Sequence, residues 1–305
     1  MITPIHESDH LSFIRKPIYK ARIITHNLSP RILIMTDTDK YLFDVHGYLV
    51  IKNVLSAEEI AAANAAIDHH AHKIQIRPND LARESASLKG RIGRGDLSGM
   101  LTWNKPYCDI YRNLMVHDKL TPYLENLLGP GFRLEAMSII TMDEGAEGFW
   151  FHEGGEPLDR SRAYRYHNGR MFCGMTNIAL QLSDVGPHDG GFACLPGSHK
   201  ANYPCPDDIR LYEIHQDRMA QISAQAGDAI LFAECLMHGS LPWVAKHQRR
   251  SVIMRYNTGV TAERLMGTYT PPPFYDDLTE KQKAVISAPH YRKEDKGSRL
   301  YKANQ

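Results

Sequence analysis

Gly148-Phe149-Trp150-Phe151-His152-Glu153-Gly154-Gly155 is the stretch on which the reading of this 305-residue chain turns. It is an apolar run that ends in a histidine. Met237-His238-Gly239-Ser240 repeats that texture, and its histidine lies 86 residues after the first. Two imidazoles delivered by neighbouring strands suit one metal ion inside a β-barrel, so His152 and His238 are the candidate ligands, and iron is the metal they suggest. A 2-His-1-carboxylate centre takes its carboxylate two residues after the first histidine, and here that position is Gly154. Glu153 is no ready substitute, because successive side chains of a strand point to opposite faces. Either Glu156 or Asp159 reaches in, or a small anion takes the vacant place.

Composition narrows the class. The chain is 43% hydrophobic and 23% charged, as expected of a globular protein with one continuous core. Lys+Arg 36 against Asp+Glu 35 leaves a formal charge of +1, so there is no electrostatic footprint for nucleic acid or an anionic membrane. Cys108, Cys173, Cys194, Cys205 and Cys235 are odd in number and lack CxxC spacing, which favours free thiols in a reducing compartment. Glu7 and Asp9 near the start, and no apolar stretch behind a basic end, argue against a secretory leader. No apolar run approaches the roughly 20 residues needed to span a bilayer. A cytoplasmic protein is the expectation.

Outward from the central stretch, the chain divides into an N-terminal extension (1–38), one domain (39–268) and a C-terminal extension (269–305). Within the domain a helical layer (39–131) precedes a β core (132–260). Arg31–Met35 reads as a short strand or an entry into the fold, and Tyr41–Ile51 as a helical turn, a Gly break and a strand. Ser56 with Glu59 three residues on is a capping box that opens an Ala-rich helix to about His72. Tyr107–Leu128 reads as one helix that stops at Gly129-Pro130-Gly131. Strands are predicted over 132–141, 148–152, 171–182, 191–195, 219–223, 228–232 and 249–256, and a helix near 279–287. Helices followed by many short strands predict a mainly β fold with N-terminal helices around a jelly-roll, cupin-like core.

Three motifs then fall in order: Asp44-Val45-His46-Gly47-Tyr48-Leu49-Val50-Ile51, Gly190-Gly191-Phe192-Ala193-Cys194-Leu195-Pro196-Gly197-Ser198-His199-Lys200, and His238-Gly239-Ser240 followed by Arg249. Together they resemble the phytanoyl-CoA dioxygenase family of Fe(II)/2-oxoglutarate-dependent oxygenases over about residues 40–260. The resemblance implies a double-stranded β-helix, Fe(II), O2 and 2-oxoglutarate. It assigns Arg249, eleven residues after His238, to the far carboxylate of 2-oxoglutarate, a task suited to a planar guanidinium fork. Arg250 alternates outward. Ser240, Ser251 and Gln181 are further candidates around the co-substrate, although an interior glutamine is as often satisfied by backbone. His199 reads as a rim residue, and His167, His188, His215 and His247 as surface residues.

The departure at Gly154 points further. Superfamily members with Gly or Ala at that position include radical halogenases, in which chloride binds iron at the vacated place, and chlorination of an unactivated C–H bond is the first functional expectation. On that reading Gly154→Asp restores a ligand and blocks halide. The alternative is a hydroxylase with a two-histidine or displaced-carboxylate iron site. A zinc hydrolase and a binding module without metal chemistry are rivals of other classes, but neither uses Arg249. No carrier-protein domain is evident, so a free small-molecule substrate is expected. Lys89, Arg91 and Arg94, if they face the pocket, suggest an anionic, nucleotide-like molecule; a solvated loop is the plainer reading of each. Trp103, Trp150 and Trp243 read as packing.

Overall fold

In the computed structural model, which describes residues 35–154, 162–261 and 269–290, short strands build two face-to-face antiparallel sheets behind a layer of helices. In chain order the strands are β1 (Tyr48–Ile51), β2 (Gln75–Ile76), β3 (Gly95–Leu97), β4 (Arg133–Met142), β5 (Phe149–His152), β6 (Tyr164–His167), β7 (Arg170–Cys173), β8 (Met175–Gln181), β9 (Gly191–Cys194), β10 (Ala220–Gln221), β11 (Ala229–Ala233), β12 (His238–Leu241) and β13 (Arg249–Asn257). The large sheet has the order β1-β11-β8-β13-β4-β3-β2, the small one β10-β9-β12-β5, and β6-β7 is a separate hairpin. This is the expected jelly-roll. Among the described residues no helix is long and apolar enough to cross a membrane.

The helices are α1 (Asp37–His46), α2 (Ala57–His69), α3 (Tyr107–Leu114), α4 (Thr121–Leu128), α5 (Asp207–Arg210) and α6 (Glu280–Val285). Local sequence explains their ends. Thr36 with Asp39, Ser56 with Glu59 and Thr279 with Gln282 each form a reciprocal capping box that satisfies first-turn N–H groups. Gly47 stops α1 in the left-handed region at φ 81°, where its N–H bonds Phe43 O. The single helix expected over 107–128 is two. Pro122, in the first turn of α4, has no N–H to donate and its ring would crowd a preceding turn, so the chain breaks between 114 and 121. The strand expected over 171–182 likewise breaks at Gly174, and α1 begins ahead of the domain start expected at 39. Of the strand expected over 31–35, residues 31–34 lie outside the described set; Met35 itself is buried.

Alternation along the large sheet separates two cores. Ile178, Leu180, Val252 and Met254 point outward and pack in one cluster with Ala63, Ile67, Tyr111, Leu114, Leu124 and Leu127 of α2, α3 and α4. Ala179, Ile230 and Phe232 point inward against Phe192 and Cys194 of the small sheet. With both faces covered, all of β8 is buried and its sequence reads as an unbroken run. Buried tyrosines are satisfied: Tyr111 Oη donates to Ala63 O at 2.8 Å and Tyr256 Oη to Met115 O at 3.0 Å. All five cysteines are free; Cys108, Cys173 and Cys194 are buried, while Cys205 and Cys235 are partly exposed.

His199 sits at the barrel rim, as its Pro-Gly-Ser setting suggested. Its Nε2 lies 3.1 Å from Asp44 O, so that nitrogen carries the proton, and bare Nδ1 faces Gly47, where a Cβ would come within 2.5 Å of it. Burial, then the charge of Lys200, lowers its pKa to about 4. The unfolded imidazole, at an ordinary value near 6.5, takes up its proton first as the solution is acidified. Stability is therefore lost as pH falls from about 6.5 to about 4, by on the order of 3 kcal/mol from this residue. Denaturant unfolding at pH 7 and pH 4.5 should show this loss, and His199→Gln should reduce it; an unchanged pH dependence in the variant would exclude His199 as its source.

Candidate active site

β5 and β12 bring the two candidate ligands together in one register step. His238 pairs with His152 across the small sheet, and their ring centroids lie 4.2 Å apart. His238 Nδ1 is 2.6 Å from Leu236 O; a carbonyl only accepts, so Nδ1 is the protonated nitrogen and Nε2 keeps its lone pair. His152 Nδ1 is buried with no hydrogen-bond partner among the described residues. Burial, and for His152 next the neighbouring His238, pushes both below the ordinary imidazole pKa. Two neutral imidazoles with free lone pairs are what a transition metal takes. The chemistry of the donor pair fits such an ion, although among the described residues no group of three His, Cys, Asp or Glu forms around it.

The position where a third ligand was sought is differently built from expectation. Glu153 has left the strand, at φ 61°, and pairs with Arg162 at 2.9 Å. Gly154 follows at φ 81°, and a Cβ built there would stand 2.4 Å from Met237 Cβ. The space taken up by the missing side chain is thus occupied by Met237. An aspartate side chain at this position would therefore meet Met237 first, which weighs against Gly154→Asp as a restored ligand, while a halide held by the metal needs no side chain here. Glu156 and Asp159 lie outside the described residues.

Arg249 is 3% exposed at the start of β13, and Gly191 lets it pack close, since a Cβ there would approach Arg249 Nε to 2.9 Å. Its Nη1 meets only Met142 Sδ at 3.1 Å, and its Nε has no partner among the described residues. Burial, then the charge of Arg94, lowers its pKa to about 10. A buried guanidinium without a counter-charge is unstable until an anion arrives. Arg250, next along the strand, points outward to Asp68 at 2.7 Å, as alternation requires.

Both histidines and Arg249 line one cavity of about 330 Å³ between the sheets. Ser240 lines it too, with its Oγ buried and unpartnered among the described residues. Gln181 and Ser251 do not. They are register partners on β8 and β13, and Ser251 Oγ donates to Gln181 Oε1 at 2.7 Å, while Gln181 Nε2 bonds Ala179 O at 3.2 Å. That pair satisfies itself, which weighs against a bond from either to the co-substrate. Of the three bases in the Gly-rich loop only Arg94 lines the cavity; Lys89 and Arg91 are exposed, and Arg91 covers Gly145 instead. The loop sequence hid β3, whose pairing with β4 sets Arg94, Asp96 and Ser98 on the cavity side, with Leu97 also at its border.

Sequence reasoning missed Asp96, Ser138, Asn177 and Arg255, which also line the cavity. Asn177 Nδ2 donates to Glu234, leaving Oδ1 unpartnered among the described residues. The available signal was alternation: Asn177 shares parity with Ala179 and Gln181 on β8, and Arg255 with Arg249 on β13. The expected surface positions of His167, His188, His215 and His247 hold. Trp103 and Trp243 are buried, Trp103 stacked on His70 with centroids 3.9 Å apart. A larger surface hollow of about 950 Å³, bordered by α1 and the β6-β7 hairpin, shares no residue with this cavity.

Comparison with known proteins follows the same lines. The sequence profile of the phytanoyl-CoA dioxygenase (PhyH) family matches residues 43–251. The ectoine dioxygenase of Nocardia farcinica is 23% identical over 239 residues, 71% of this chain and 76% of that protein. That of Sphingopyxis alaskensis is 23% identical over 265 residues, 76% of this chain and 79% of that protein. Among solved structures, HygX from Streptomyces hygroscopicus with nickel and 2-oxoglutarate bound superimposes with a TM-score of 0.62 at 21% identity, covering 75% of this chain and 89% of its own. EctD from S. alaskensis with bound Fe gives a TM-score of 0.55 at 20% identity, over 82% of this chain and 86% of its own.

Proposed function

This chain belongs to the phytanoyl-CoA dioxygenase family, and on that premise we propose that it is an Fe(II)/2-oxoglutarate-dependent oxygenase that hydroxylates a free small molecule. One observation carries the reading: a buried Arg249 guanidinium with no counter-charge among the described residues and the His152–His238 pair share a single cavity. In this reading His152 and His238 Nε2 hold the metal, with Leu236 O fixing the His238 tautomer. Arg249 pairs with the far carboxylate of 2-oxoglutarate, and Ser240 Oγ adds a hydrogen bond. Phe149, Phe192, Phe232 and Ile253 wall the cavity and keep water from the reacting centre. When bound, iron with 2-oxoglutarate and O2 supplies the oxidant for cleaving a substrate C–H bond, and 2-oxoglutarate leaves as succinate and CO2. A zinc hydrolase has no use for an unpaired guanidinium in its pocket.

Chlorination is the second reading. It is favoured by one observation, that among the described residues no carboxylate joins the two histidines. Against it, Gly154 is not among the residues that line the cavity. Anaerobic addition of Fe(II) and 2-oxoglutarate should give a visible metal-to-ligand charge-transfer band, and admitting O2 should give succinate; His238→Ala should remove both. Absence of band and succinate from the unaltered protein would sink the oxygenase reading. A saturable chloride-dependent shift of the band would move the conclusion to chlorination, and a band indifferent to chloride keeps it at hydroxylation.

A further inference from the structure

The charges around the cavity do not balance. Three guanidinium groups line it, on Arg94, Arg249 and Arg255, against one carboxylate, Asp96. Arg94 and Asp96 pair with each other at 3.0 Å. That leaves Arg249 and Arg255 without an anion among the described residues. The co-substrate accounts for Arg249 alone.

Arg255 is partly buried and makes no hydrogen bond or ion pair with any described residue. The sheet explains why. Its register partners are Asn177 on β8 and Ala136 on β4, and neither carries charge. The carboxylate nearest to Asn177, that of Glu234, is committed to the Asn177 amide and lies 4.0 Å from Arg162. Long side chains left without a partner normally turn to bulk solvent, yet this one lines the cavity, where its guanidinium is open to an incoming anion.

Arg255 also stands apart from Arg249. The two are six residues apart on the same face of β13, roughly 20 Å along a strand that rises about 3.3 Å per residue. A co-substrate gripped by Arg249 therefore leaves Arg255 for a second molecule. Arg255 and both histidines line the same cavity, so this second molecule lies close to the metal-binding pair.

Resting on the oxygenase reading above, we propose that Arg255 is the anchor for an oxyanion of the substrate, a carboxylate or a phosphate. The guanidinium fork suits both, since each offers two oxygens in one plane to parallel N–H donors. The molecule hydroxylated would then be an organic acid or a phosphate ester, held by its charged end with its apolar part against Phe149 and Phe232.

The test is calorimetric titration of the protein, anaerobic and loaded with Fe(II) and 2-oxoglutarate, with inorganic phosphate and separately with acetate. At least one should bind at one site per chain without displacing 2-oxoglutarate. Arg255→Gln should weaken that binding about tenfold or more and leave the affinity for 2-oxoglutarate within twofold. Arg255→Lys, which keeps the charge but loses the fork, should bind more tightly than Arg255→Gln and less tightly than the unaltered protein, and it guards against a folding defect in the glutamine variant. Tighter binding of phosphate assigns a phosphate ester, tighter binding of acetate a carboxylic acid. The proposal is overturned if neither anion binds, if 2-oxoglutarate displaces both, or if Arg255→Gln binds like the unaltered protein. A protein that fails to take up 2-oxoglutarate itself would instead sink the oxygenase reading, and titration without it still reports on Arg255.

Discussion

Arg249→Met is expected to raise the stability of the ligand-free protein by about 1–3 kcal/mol while weakening 2-oxoglutarate binding about a hundredfold. The two effects have one cause. In the ligand-free chain the guanidinium is 3% exposed, its Nε has no partner among the described residues, and Nη1 meets only a thioether. Keeping a cation there costs desolvation that no counter-charge among the described residues offsets. Methionine fills the channel beside Met142 and Gly191 with an apolar chain of similar length. The same substitution removes the charge-assisted bonds on which the co-substrate depends. Thermal melts with and without 2-oxoglutarate, in the presence of metal, separate these effects. The unaltered protein should gain stability on adding 2-oxoglutarate, and the variant should start higher and gain almost nothing. A variant that gains as much as the parent would remove Arg249 from the co-substrate site.

Gly154→Asp should destabilise the protein by about 2–4 kcal/mol and should not tighten metal binding. Its Cβ would stand 2.4 Å from Met237 Cβ and 3.3 Å from Met237 Cα, so the added carbon meets backbone that is tied into β12. The residue would also have to hold φ 81°, which costs a non-glycine residue of the order of 1 kcal/mol. Gly154→Ala isolates this cost, because it adds the carbon without the carboxylate, and should lose nearly as much in denaturant unfolding. Should Gly154→Asp melt like the parent and bind Fe(II) more tightly, a carboxylate does reach the metal from this position and the packing argument fails.

Much of the architecture is written in local sequence. The capping boxes at Ser56 and Thr279 mark helix starts because the side chain three residues on closes the same hydrogen-bonded ring wherever the helix sits. Strands β4, β9, β11 and β13 were legible as short apolar runs between turn residues. Strands β2, β3, β6 and β12 were not. They are two to four residues long, and β3 with sequence Gly-Asp-Leu is a strand only because β4 offers it a ladder. The helix break at Pro122 was visible in the residue itself and was outweighed by the leucine spacing around it.

What the sequence alone determined about this protein is the order of its main elements and the choice of His152, His238 and Arg249 as candidates, the first and last at the ends of legible strands. Only the tertiary structure decided what each site residue faces. Alternation assigns a side chain to one face of a strand, but what stands opposite depends on segments far away in the chain. Ser251 spends itself on Gln181, 70 residues before it, and Met237 fills the place beside Gly154. Lys89 and Arg91 face solvent, while Arg255 comes to rest beside Asn177, with no counter-charge of its own among the described residues. Chain pattern fixes direction at the scale of a few residues; register and sheet stacking fix contact, and a site is made of contacts.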